Sequence, residues 1–201
     1  MRVIDGDTIE TSQGTIRLLG INTPEKTMPY SNSAKEFLNL FLQKNLTLIK
    51  DREDLDKYKR KLRYIFFESR FLNLEILESG WGNAYMTSGL FYETQFLNAQ
   101  KQAINLQTGI WEKSNQSCSS CINLDSLNPE KEYFTLKNNC TYQCELNKWF
   151  VKDTGRNVFY LNSIKPNQII LINSSKEVWN NNGDTLFLFD DNGKLVFFYE
   201  Y

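Results

Sequence analysis

The first half of the chain alternates between two hydrophobic periods. RVIDGDTIET and TIRLLGI show the period of two expected of half-buried strands, and SQG between them is a hairpin signal because Gly14 tolerates positive φ. The period then lengthens. Ala34, Phe37, Leu38 and Phe41 recur at i, i+3, i+4 and i+7, and Ser33 followed by Glu36 forms a capping box, so an amphipathic helix is predicted to end near Asn45. LTLIK and KLRYIFF return to strand character, FLNLEILESG reads as a short helix stopped by Gly80, and QFLNAQKQAINLQTGIW as a further helix. Five strands with three helices predict a small barrel with helical cover.

The texture changes at Ser114. SNQSCSSCINLDSLNPE lacks periodicity and reads as a linker. EYFTLKN, KWFVKD, NVFYL, QIILI and TLFLFDDNGKLVFFYEY follow as regularly spaced short strands, the last folded back at Asp191-Asn192-Gly193. This predicts a second domain, a β-sandwich, with the boundary between residues 113 and 126. Trp81 and Trp111 are assigned to the core of the first.

Composition narrows the chemistry. The 201 residues suffice for two domains, and 41% apolar with 23% charged residues is the balance of a globular protein. No apolar run approaches the ~20 residues of a membrane span. Twenty-three basic against 24 acidic side chains leave a charge of -1, so any phosphate recognition must be local. The chain has no histidine, which excludes Ser-His and Cys-His nucleophile pairs and every His-ligated metal. A catalytic base must come from carboxylate, Lys, Tyr or Cys. No charged segment followed by an apolar one precedes Val3, so no signal peptide is readable. The chain opens inside a strand, which leaves room for a leader, or part of that strand, upstream of Met1.

Candidate chemistry collects in the first half. Asp5 and Asp7 fall on one face of the expected strand, and paired carboxylates are unfavourable unless solvated or neutralised by a cation. Alone, DGD reads as a polar turn. Its neighbours change that: Arg17 lies on the partner strand, Glu25 follows a Thr-Pro turn, and Arg60 sits in DKYKRKLRY. Oxygen ligands, a carboxylate base and two guanidiniums suffice for phosphodiester hydrolysis, in which the cation polarises a phosphoryl oxygen and the arginine forks bind developing charge. If residues 57 to 66 run as a strand, Tyr58 and Arg60 share its substrate face, while Lys57, Lys59, Lys61 and Arg63 form the opposite one.

VIDGDTIE, IRLLGINTPE, DKYKRKLRY and GIW, in this order, resemble the motif series of the staphylococcal nuclease (thermonuclease) family over residues 1 to 113. The resemblance implies a five-stranded OB-fold barrel that cleaves DNA and RNA with Ca2+, leaving 3′-phosphate and 5′-hydroxyl ends. It implies Asp7, Asn22 and, through its carbonyl, Thr23 as calcium ligands, with Asp5 behind them. Arg17, Glu25 and Arg60 match the catalytic trio, and Tyr58 and Tyr85 resemble tyrosines around the nucleotide pocket. Three departures stand out. Asn22 occupies a position where the family has a carboxylate, Lys59 one where it usually has glycine, and the strand before Val3 is short or missing. Loss of one carboxylate is expected to weaken calcium binding by about 10 to 100-fold, about 1.4 to 2.8 kcal/mol. The alternative is a barrel that binds nucleic acid without cutting it; Glu25 in an anionic groove argues for catalysis.

Residues 126 to 201 are similar to the lamin-tail domain through Trp149, GDTLFLFDDNG and the strand spacing. That implies an immunoglobulin-like sandwich, with Trp149 in its core, that attaches the nuclease to an unidentified partner. Cys118, Cys121, Cys140 and Cys144 form two close pairs, compatible with disulfides or with a four-thiolate zinc site. The nuclease family's extracellular setting favours disulfides and an exported or cell-surface protein. A monomer is expected.

Overall fold

A computed structural model describes residues 1–86 and 89–201. The chain divides into two compact units, Met1–Trp111 and Glu112–Tyr201. No helix among the described residues is long and apolar enough to cross a membrane.

The first unit contains strands β1 (Arg2–Asp5), β2 (Thr8–Thr11), β3 (Gly14–Leu18), β4 (Ile21–Asn22), β5 (Thr47–Ile49), β6 (Lys61–Phe67), β7 (Arg70–Phe71) and β8 (Asn83–Ala84). Its helices are α1 (Ser31–Asn39), α2 (Leu72–Glu78) and α3 (Glu93–Leu106). The main sheet runs β1-β2-β3-β6-β5, all neighbours antiparallel except β3 and β6, and β4 pairs separately with β8. Buried Ile9, Ile16, Leu18, Tyr64 and Ile65 join Leu38 of α1, Leu72 and Ile76 of α2 and Phe96 of α3 in one core. The hydroxyl of buried Tyr64 donates to Asp51, which also accepts the Phe91 N–H at 2.9 Å. Trp111 is buried and Trp81 packs on Phe37, as expected of core aromatics.

The unit has eight strands where the sequence predicts five, the short strands β4, β7 and β8 carrying too few residues to show a pattern, and the last expected helix stops at Leu106 before a 3-10 turn at Gly109–Trp111. Three further elements depart from that reading. RVIDGDTIET is not one strand: it turns at Gly6-Asp7, and β1 and β2 pair antiparallel on either side. The capping box does not start α1. Tyr30, at φ 62°, precedes the helix, and the Ser33 N–H donates to the Tyr30 carbonyl, placing Ser33 inside the first turn. Beyond Asn39, contacts from Leu40 to Phe37 and from Phe41 to Leu38 tighten the chain and end the helix early. Finally, residues 57–60 form a turn, and strand begins only at Lys61. The Asp56 carboxylate holds this turn by accepting the N–H groups of Tyr58 and Arg60, both at 2.9 Å.

The second unit consists of β9 (Ile122–Asn128), β10 (Tyr133–Asn138), β11 (Phe150–Lys152), β12 (Val158–Tyr160), β13 (Ile169–Asn173), β14 (Thr185–Phe189) and β15 (Leu195–Glu200). They form two antiparallel sheets, β13-β10-β9 and β12-β11-β14-β15. Phe134 and Leu136 from one sheet and Val151, Leu186 and Leu188 from the other share a core with Trp149 and Trp179. The β14–β15 hairpin turns at Asp191-Asn192-Gly193, with Gly193 at φ 75°. The segment expected as a linker is instead part of this unit. Residues Ser117–Ser120 form a 3-10 turn, Cys118 is buried, and β9 starts at Ile122. Disulfides join Cys118 to Cys144 and Cys121 to Cys140, and this cross-linking orders a stretch whose apolar pattern is too weak to announce a strand.

Candidate active site

Close backbone approach builds the site. A Cβ on Gly6, in the turn between β1 and β2, would lie 2.6 Å from Ala34 Cβ and 2.7 Å from Thr23 Oγ1. One on Gly82 would lie 2.6 Å from the Asn22 carbonyl oxygen. The Asn22-Thr23 segment is thus held between two glycines, with Asn22 registered opposite Asn83 in the β4–β8 pair.

Asp7 is 1% exposed. Its Oδ1 pairs with Arg17 Nη1 at 2.6 Å and accepts the Thr8 hydroxyl at 2.8 Å, and its Oδ2 accepts the Thr23 N–H at 3.2 Å. Arg17, on β3 opposite Thr8, is buried as well, and its Nη2 donates to the Ile21 carbonyl and to Asn22 Oδ1, both at 3.1 Å. Asp7, Arg17, Asn22 and Thr23 therefore form one buried network. A buried charge pair of this kind is tolerable because further hydrogen bonds satisfy both ions.

Thr8 extends the network outward. Arg60 Nη1 reaches the Thr8 hydroxyl oxygen at 3.5 Å, while Arg60 Nε pairs with Asp56 Oδ2 at 2.6 Å. Burial raises the Asp56 carboxyl, but hydrogen bonds from the Arg60 backbone and side chain outweigh it and hold the group below its ordinary value. The Tyr58 ring, 66% exposed, lies 5.4 Å from the Arg60 guanidinium. The two residues are brought together by a turn rather than by a strand face.

Asp5 and Asp7 are likewise turn neighbours rather than residues of one strand face. Asp5 Oδ1 accepts the Asp7 N–H at 3.2 Å. Burial first, and the Asp7 charge second, push the Asp5 carboxyl up. Glu25, half-buried, stands two residues beyond Thr23, and its carbonyl accepts the Met28 N–H at 2.7 Å. Tyr85 follows β8; its N–H donates to the Gly20 carbonyl at 3.0 Å and its side chain is exposed. Among the described residues no three carboxylates converge at metal-ligand spacing here, in keeping with neutral Asn22. The sequence reading missed Thr8 and Asp56. Asp56 had a signal, its spacing of four residues from Arg60 in DKYKR, whereas Thr8 is tied to Arg60 only by the fold.

The oxygens of Asp7 and Asn22 and the guanidiniums of Arg17 and Arg60 are thus joined through hydrogen bonds and the Thr8 hydroxyl. Known proteins are similar to the chain over this unit. The family described as Staphylococcal nuclease homologue matches residues 15–113. A protein named thermonuclease from Staphylococcus intermedius is 33% identical over 124 residues, covering 56% of this chain and 74% of its own length. Another thermonuclease, from Staphylococcus hyicus, is 31% identical over 123 residues, covering 55% and 73%. An endonuclease, YncB of Bacillus subtilis, is 30% identical over 139 residues, covering 60% and 66%. The chain belongs to the staphylococcal nuclease homologue family.

Proposed function

We propose that the first unit is a calcium-dependent endonuclease that hydrolyses DNA or RNA to 3′-phosphate and 5′-hydroxyl ends. The observation that carries this reading is the buried network in which Asp7, Asn22 and Thr23 meet Arg17, linked through Thr8 to Arg60.

The donor set fits a calcium ion. Asp7 Oδ1 and Asn22 Oδ1 already face one positive group, the Arg17 guanidinium, whose place an ion held by them would take. Asp5, whose carboxyl is pushed up by burial first and by the Asp7 charge second, stands next to these ligands in the Gly6-Asp7 turn. Asp7, the Asn22 amide oxygen and the Thr23 carbonyl would hold the ion, with Asp5 behind them. When bound, it supplies electrophilic polarisation of a phosphoryl oxygen.

The remaining roles belong to the chain's own side chains. Arg60 offers its Nη groups to the phosphate and to the charge that builds on it in the transition state, and Arg17 would join it once the Asp7 and Asn22 oxygens that now engage its guanidinium turn to a cation. Asp56 fixes the Arg60 fork, and Thr8 bridges it to Asp7. Glu25 takes the proton of the attacking water. Tyr58, beside Arg60, and Tyr85 offer exposed rings for stacking on a base. The second unit serves as a lamin-tail-like attachment module of immunoglobulin-like type that raises the local concentration of nuclease at its target, in an exported or surface-bound monomer. Core Trp149 and the Asp191-Asn192-Gly193 hairpin support that reading.

The test is cleavage of plasmid DNA and of RNA with calcium against EGTA, with end-group analysis of the products and Glu25→Gln in parallel. Calcium-dependent cleavage to 3′-phosphates, slowed by about 10² to 10⁴-fold in Glu25→Gln, is expected. Binding of nucleic acid without cleavage at any calcium concentration would refute the enzymatic reading.

A further inference from the structure

The four cysteines stand at one point of the second unit. Cys118 faces Cys144 and Cys121 faces Cys140, and the two bridges touch, with Cys140 Sγ 3.5 Å from Cys144 Sγ. The sulfurs of Cys118, Cys140 and Cys144, all buried, lie within 4.8 Å of one another. In a tetrahedral zinc site with Zn–S bonds of ~2.3 Å, neighbouring sulfurs are ~3.8 Å apart. Three of the four sulfurs thus already cluster within the span of one ion, and Cys121, bridged to Cys140, stands beside them.

Main-chain and amide hydrogen bonds, not sulfur bonds alone, hold these positions. The Cys121 N–H donates to the Cys118 carbonyl at 3.2 Å, closing the turn of the first pair. The Asn139 N–H donates to the Cys121 carbonyl at 2.9 Å and ties the two pairs together. Cys144 exchanges both backbone hydrogen bonds with Ile164 at 2.9 Å. Buried Asn138 accepts the Cys140 N–H at 2.8 Å and donates to the carbonyls of Ile164, at 2.8 Å, and Tyr142, at 3.0 Å. None of these hydrogen bonds needs a sulfur–sulfur bond, so they can keep the four cysteines near one another when the bridges open. The chain has no histidine, so the shell is all-sulfur, the donor type that selects Zn2+ over the hard cation proposed for the first unit.

We propose that, in its reduced form, the second unit binds one Zn2+ through Cys118, Cys121, Cys140 and Cys144. Two equivalents of a dithiol reductant open the two bridges, giving four cysteine thiols and two oxidised dithiols. Zn2+ then displaces four protons to form the tetrathiolate. In an oxidising compartment the same four residues cross-link the unit directly.

The experiment uses the full chain, reduced and then freed of reductant under anaerobic conditions. Far-UV circular dichroism follows the fold, mass spectrometry the zinc content, and titration with Co2+ the coordination. One zinc per chain is expected, together with the intense visible bands of tetrahedral thiolate-bound Co2+, bleached by stoichiometric Zn2+. Cys140→Ser and Cys118→Ser should lose these bands. A reduced chain that unfolds without metal and refolds on adding zinc supports the proposal equally. A folded, reduced wild-type chain that takes up neither ion overturns it, as does full metal loading of a Cys118→Ser/Cys140→Ser variant.

Discussion

The two units bury polar side chains for different ends. In the second, each buried carboxylate is satisfied largely by its own turn or by an adjoining segment. Asp190 accepts the N–H groups of Asn192 and Lys194 and the Ser114 hydroxyl, Asp153 accepts from Asn157, and Asp184 from Thr154, Asn180 and Thr185. These groups shape loops. In the first, Asp7 faces a guanidinium from another strand and a backbone N–H from a third segment, with a neutral amide completing the set. Asp51 and Asn73 there resemble the second unit in satisfying local or packed structure. The lesson is that burial of polar groups alone does not mark a site. Cationic and anionic groups assembled from separate elements do.

That contrast can be broken most forcefully at Arg17. Arg17→Met leaves Asp7 buried without its counter-charge and is expected to cost about 3 to 5 kcal/mol in urea denaturation of the chain. A loss below about 1 kcal/mol would mean that Asp7 does not depend on Arg17. The matching change in the second unit, Asn138→Ala, removes the partner of the Cys140 N–H and of the Tyr142 carbonyl and one of the two hydrogen bonds to the Ile164 carbonyl, and should cost about 2 to 3 kcal/mol. Its specific nuclease activity should match wild type below the melting point.

A finer test concerns the neutral ligand. Asn22→Asp should lower the calcium concentration for half-maximal cleavage by about 10 to 100-fold. Equal half-saturation in both proteins would remove Asn22 from the calcium shell. The effect of Asp56 is smaller and depends on pH. Its carboxyl is held below the ordinary value of 3.8, so its stabilising contribution is complete above that pH and is lost as pH falls through the lowered value. The stability gap between wild type and Asp56→Asn, followed by thermal melts, should shrink only below pH 3.8. Smallest is Lys59→Gly. Lys59 sits at φ 63°, so glycine should relieve strain and leave a net gain of about 0.5 kcal/mol in the same melts.

Much of the fold could be read from the chain because its strands carry strong local patterns. KLRYIFF coincides with β6, and FLNLEILESG contains α2. The failures share a cause. At Gly6-Asp7 and at residues 57–60, turns fixed by Asp carboxylates interrupt runs whose residue types alternate like strand. β9 was hidden because its burial pattern alternates poorly and its N-terminal end is anchored by cysteines that pair 19 and 26 residues away. The site residues Asp7, Arg17, Asn22 and Thr23 were legible as motif members, and the structure brings those four into contact. Thr8 was not, because a threonine on a strand carries no signal until Arg60, 52 residues away, arrives beside it.

The proposal that the Asp7 network cuts phosphodiesters is tested most directly by comparing plasmid cleavage by wild type and Arg60→Ala in saturating calcium, with both folds checked by circular dichroism. The expected result is a loss of about 10² to 10³-fold in the variant, the size of losing one preorganised donor to transition-state charge. Cleavage by a folded Arg60→Ala protein at the wild-type rate would place the chemistry elsewhere and contradict the account.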